Sequence, residues 1–114
     1  MSNLTEQRTI EKTLLERGER YGDFKDVARI TNSLFATCRE GNQFHQLSES
    51  QNLALRMICI KMARIVNGDP NYIENWHDIA GYSTLIEKSL MTTEGATNAK
   101  VVAQKVINGV MEDV

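Results

Sequence analysis

The chain has 114 residues, with 13 Lys and Arg against 15 Asp and Glu, a formal charge of −2 and an isoelectric point near 5.7. That length suits one domain, and the acidic balance argues against a general nucleic-acid binder, which would carry a basic surface. No charged-then-apolar leader and no membrane-length apolar run are present, so the expectation is a soluble cytoplasmic chain without a membrane partner.

One proline and seven glycines leave few breaks, and no stretch alternates as a half-buried strand would. The expected class is therefore all-α. A first helix is predicted from Thr5 to Arg17, with Ile10, Leu14 and Leu15 as its apolar edge and Gly18 as a left-handed stop. Asp23 is a good N-cap for a second helix, Phe24 to Arg39. There Phe24, Val27, Ala28, Thr31, Leu34, Phe35 and Cys38 share one stripe. Gly41-Asn42 ends it, and a loop runs to Leu47.

Ser48 to Gln51 reads as a capping box for the third helix. From Leu53 to Val66 nearly every position is apolar; Arg56, Lys61 and Arg64 are the exceptions. These three cations fall within roughly 140° of helical arc. A helix so apolar is expected at the centre, with circumference left over for another subunit. Each cation on it needs water, an acid or an anionic ligand. Cys38 and Cys59 lie in apolar runs without CxxC spacing and read as small core residues.

Gly68-Asp69-Pro70 is a turn, and Asn71 to Glu74 is a second capping-box match opening a helix from Tyr72 to Leu90. Its predicted core stripe is Ile73, Trp76, Ile79, Ala80, Ser83, Ile86 and Leu90, while Glu74, Asp78 and Tyr82 line a neighbouring face. Gly81 inside this helix suggests a close approach by backbone or ligand. Thr92 to Asn98 reads as a linker before a thin final helix of Val102, Val106 and Val110, flanked by Val101 and Ile107. The expected organisation is a helical core over 1–91 followed by a linker and C-terminal helix over 92–114.

The chemistry concentrates between Lys61 and Leu85. Lys61 and Arg64 share a face, as do Glu74 and Asp78, and a short turn sets the two helices antiparallel. Opposed charges there form either a structural ion-pair lock or the lining of a phosphate or metal pocket. Glu74 and Asp78 have a spacing suited to a shared Mg²⁺, which takes one or two carboxylates plus water and phosphate oxygens. Lys61 and Arg64 suit phosphate, the arginine as a fork. Tyr21, in the turn before Asp23, could stack on a base. His45 and His77 lack zinc-ligand spacing, and there is no nucleophile elbow and no Gly-rich phosphate loop. Enzyme chemistry here would have to be metal-assisted.

The segments LLERGERYGDF (14–24), KMARIVNGDPNY (61–72) and NWHDIAGYSTL (75–85) resemble a family of short uncharacterised proteins common in phages and prophages. More remotely, the chain looks like phage nucleotide-modification-associated domains and MazG-like all-α nucleoside triphosphate pyrophosphohydrolases. The MazG likeness implies an oligomer that cleaves between the α and β phosphates with Mg²⁺ held by two acidic pairs. Glu74 and Asp78 would stand for the second pair, at a spacing of four rather than three. The helix before them carries Arg56, Lys61 and Arg64 where the first pair belongs.

These readings converge on a homo-oligomeric bundle of four main helices plus a C-terminal helix. The expected function is a phage-type accessory protein that holds a nucleotide or nucleotide-derived signal, or another phosphorylated small molecule, without cutting it. Arg56, Lys61 and Arg64 would hold phosphate; Glu74 and Asp78 would orient the cations, a sugar hydroxyl or Mg²⁺; Trp76 or Tyr82 would stack on a base. The alternatives are a Mg²⁺-dependent MazG-like pyrophosphohydrolase and a module that inhibits a host enzyme by binding it.

Overall fold

The computed structural model describes residues 2–107, with side chains described for residues 9–92. Every regular element among the described residues is helical: α1 (Ser2–Tyr21), α2 (Phe24–Cys38), α3 (Glu49–Asn67) and α4 (Ile73–Ile107), with a 3₁₀ turn at Phe44–Gln46. No helix of the described residues is long and apolar enough to cross a membrane. Two units separate along the chain, Met1–Tyr82 and Ser83–Val114. The described part of the second is the continuation of α4.

Helix ends follow local chemistry. Asp23 caps α2 by accepting from the Lys25 backbone N–H at 3.2 Å. Ser48 and Gln51 close the expected capping box on α3, through Gln51 N–H to Ser48 Oγ at 3.1 Å and Ser48 N–H to Gln51 Oε1 at 2.9 Å. The second predicted box is absent. Because α4 starts at Ile73, Asn71 falls inside the turn, where its N–H meets Asp69 Oδ1 at 2.9 Å. Nor does Gly18 stop α1; the helix runs three residues further, and the left-handed position is Gly22, at φ 80°. Across Thr92 to Asn98 the backbone stays helical, since no proline removes an N–H from the ladder. Residues 108–114, and the side chains of Val101, Val102, Val106, Ile107 and Val110, lie outside the described residues.

α2 and α3 form the main packed pair, and α1 lies against both. On α3, Ala54, Lys61 and Ile65 are buried on one face and Cys59 and Ala63 on the opposite one. One edge between them carries Leu53, Ile60 and Arg64, and the other the exposed Met62 and Val66. The expected central position is therefore real, with covered faces and two open edges. The core is small, and several expected members lie outside it. Phe24 is 82% exposed, Ile73 72% and Trp76 55%, whereas the buried residue at the start of α4 is Asn75. Cys59 is buried but Cys38 is exposed. Burial pushes the Cys59 thiol up, and the neighbouring Cys38 adds to the shift.

Two glycines weld the ends of the unit together. A Cβ on Gly68 would run into the backbone of Arg20 and Tyr21, and one on Gly22 into the backbone of Asn67. Around that contact Asp69 N–H donates to Arg20 O at 2.7 Å, and Asn67 Nδ2 donates to Tyr21 O at 3.0 Å and Asp23 O at 3.3 Å. The turns Tyr21-Gly22-Asp23 and Asn67-Gly68-Asp69 thus meet backbone to backbone. Gly81 is different: a Cβ there would meet nothing within 4 Å, so none of the described residues makes the expected close approach. Gly81→Ala should therefore stabilise the protein by about 1 kcal/mol through helix propensity alone. A rise in urea midpoint at unchanged slope would show it.

Candidate functional site

The three cations of α3 diverge. Lys61 is buried, and its ammonium pairs with Asp78 Oδ2 at 2.9 Å, with the Lys61 side chain 10% exposed and that of Asp78 38%. Arg64 lies about 60° away around the helix. Its guanidinium carbon sits 4.2 Å from the Tyr21 ring centre. Arg56 turns to Phe35, at 4.3 Å from that ring centre, while its Nε donates to Asn52 Oδ1 at 3.0 Å. Among the described residues, the predicted set makes an ion pair only at Lys61 and Asp78.

Of the acids, Asp78 is committed to Lys61 and Glu74 is exposed in the first turn of α4. Among the described residues no three His, Cys, Asp or Glu side chains gather as a metal site. Trp76 is used in the turn, where its indole N–H donates to Pro70 O at 2.9 Å. Tyr82 is half-buried, one turn beyond Asp78 on α4.

The hydrogen bond from Lys61 holds the Asp78 carboxyl below its ordinary value, against the opposing effect of burial. The charges of Lys61, His77 and Arg64 pull in the same direction. A depressed carboxylate adds stability above its unfolded value of about 3.8, and that stability is lost as pH falls through the folded value. Below about pH 4 the wild type should lose stability more steeply than Asp78→Asn. At neutral pH the variant should melt lower, because Lys61 is left buried without its partner. Thermal melts across pH 2.5 to 7 check both signs.

A cavity of ~760 Å³ opens instead on the neighbouring face of α3, between α1, α2 and α3. Arg17 and Leu14 of α1, Tyr21, Phe24 and Thr31, and Ile60 and Arg64 of α3 contribute to its wall, with Asp23 at the turn. Its volume falls in the range of small-molecule sites, mostly apolar with a few polar groups. No carboxylate pairs with Arg17 or Arg64 among the described residues. Thr31 Oγ1 is buried and has no hydrogen-bond partner among the described residues. Phe24 presents most of its ring to solvent. Edge-on packing of Tyr72 against Tyr21, at 6.1 Å between centres, and Arg20 over Tyr72 at 4.9 Å brace the Tyr21 end of the wall.

A family model described as a domain of unknown function (DUF6378) matches residues 7–90. The chain belongs to the DUF6378 family. No curated protein and no solved structure matched significantly.

The matched span of the DUF6378 domain includes both welded turns, every residue named in the cleft wall and the Lys61–Asp78 pair. Sequence reasoning placed Arg64 among the ligand residues and Tyr21 as a base platform, but not Arg17, Phe24 or Thr31. Arg17 and Tyr21 are four apart in the ERGERYGDF segment, a shared face that could have been noticed. Phe24 and Thr31 carry no such signal, since their spacing is that of core residues.

Proposed function

We propose that this DUF6378 chain binds a nucleotide or nucleotide-derived signal in the cleft between α1, α2 and α3, without cleaving it. The observation that carries the reading is a ligand-sized cleft whose two arginines have no carboxylate partner among the described residues. Arg64 and Arg17 take phosphate oxygens, the guanidinium fork giving both charge and direction. The exposed ring of Phe24 takes a base, a contact worth ~1–3 kcal/mol. Asp23 accepts from a sugar hydroxyl, and Thr31 Oγ1 gains the partner it lacks.

Binding without hydrolysis fits the donor set. One carboxylate, Asp23, stands in the named wall, and it already caps α2. Mg²⁺-assisted cleavage would need further oxygen ligands beside the phosphates. In the phage setting implied by resemblance, such a protein serves to sequester a host defence signal. Among the described residues the α3 edge with Met62 and Val66 is open, which supports assembly as a homo-oligomer.

A thermal-shift screen with nucleoside mono-, di- and triphosphates, with and without Mg²⁺, tests the reading. A ligand at 100-fold over its Kd adds about 2.7 kcal/mol, a shift on the order of 10 °C for a domain this size. Pyrophosphate release in the same wells would favour the MazG-like enzyme. Silence across the panel would leave the inhibitor module as the better account.

A further inference from the structure

A second cavity, of ~440 Å³, adjoins the first. The two share Thr31, Asn32 and Ile60 in their walls, so they form one groove along the α2–α3 seam. At the far end Arg39 of the α2 C-cap and Arg56 of α3 both lie over Phe35, their guanidinium carbons 5.1 Å and 4.3 Å from its ring centre. Neither has a carboxylate partner among the described residues, and the Arg56 fork is held in place by its Nε bond to Asn52. Two like charges gathered on one buried ring repel each other, and an anion bound at that end relieves the repulsion.

The groove therefore has two arginines in its wall toward each end, Arg17 and Arg64 at one and Arg39 and Arg56 at the other. Its middle holds Ile60 and the unpartnered Thr31 hydroxyl. Arg56 and Arg64 are eight residues apart on one helix, which is about 12 Å along its axis. One phosphate chain carried by one nucleoside satisfies one end only. A ligand with phosphates separated by a nucleoside satisfies both.

We infer that the groove takes a dinucleotide, with phosphates at both ends and a nucleoside over the Thr31–Ile60 saddle. This rests on the nucleotide reading of the cleft and extends it to a substrate class. The Arg17–Arg64 end supplies the first phosphate site and the Arg39–Arg56 end the second. Preference over a nucleoside that carries phosphate at one position arises because only a molecule with separated phosphates collects both sets of charge-assisted bonds.

The test is calorimetric titration with AMP and with the linear dinucleotide pApAp, which carries 5′, linking and 3′ phosphates. The protein is used as wild type, Arg39→Gln and Arg56→Gln, each first checked for an unchanged melting curve. Both arginines are exposed, so these variants are expected to fold. The wild type should bind pApAp at least tenfold more tightly than AMP. Each variant should lose about tenfold for pApAp while its AMP affinity stays within twofold. If AMP binds and pApAp binds no better, the extension is wrong and the cleft reading stands. The same holds if the variants weaken both ligands equally or neither. If neither ligand binds the wild type, the extension falls, and the nucleotide reading is decided separately by the thermal-shift panel.

Discussion

Gly68→Ala should be among the most damaging single-methyl changes in the chain. The added carbon has to occupy the space of the Arg20 carbonyl and the Tyr21 backbone, neither of which is a flexible tip that can swing away. Overpacking of this kind costs roughly 3 kcal/mol, which for a domain this size lowers the melting temperature on the order of 15 °C. Gly22→Ala should behave alike, for a double reason: its φ of 80° disfavours a side chain, and its Cβ would strike Asn67. Urea melts of the two variants beside Gly81→Ala form an internally controlled series. The first two should lose stability and the third should gain it. Equal behaviour of all three would mean that the turns do not meet as described.

The second large effect concerns ligand affinity. Arg64→Ala should weaken binding of any nucleotide that shifts the wild-type melting curve by about 10- to 100-fold, the range for losing charged hydrogen bonds worth ~1.5–3 kcal/mol. Arg64→Glu should do more, by adding repulsion to the loss. Lys61→Met is the informative contrast, because Lys61 is only a short step along the same helix. Its ammonium is engaged with Asp78 and takes no part in the named cleft wall. That variant should shift stability and leave affinity within twofold. Calorimetry on the three proteins decides between the cleft and the ion pair as the place where the ligand sits.

The pattern of which features could be read from the sequence has physical causes. Helical class, the Ser48–Gln51 box, the Asp23 cap and the central place of α3 follow from local spacing and capping chemistry, which act over a few residues. The charged cluster was legible as a cluster, and Lys61 does find Asp78. What spacing could not show was the divergence of Lys61 and Arg64. Their separation of about 60° around the helix is small in projection, yet it puts one side chain in the α4 seam and the other over Tyr21. Aromatic residues misled in a similar way. Phe24 and Trp76 fall on apolar stripes, but Phe24 stands at the rim of a cleft and Trp76 is drawn to the Pro70 carbonyl. The glycine pair was visible only as two turns, because its meaning lies in a contact between segments some 45 residues apart.

The claim on which the rest depends is that the groove beside Arg64, not the seam beside Lys61, receives a phosphorylated ligand. Backbone amide mapping by nuclear magnetic resonance during titration with a nucleotide that raises the melting temperature tests this directly. Shifts concentrated at Arg17, Tyr21, Phe24, Thr31 and Ile60 to Arg64, with Glu74 to Asp78 unmoved, are predicted. Shifts centred on Glu74, Asp78 and Tyr82 with the α1–α2 turn silent would contradict the account.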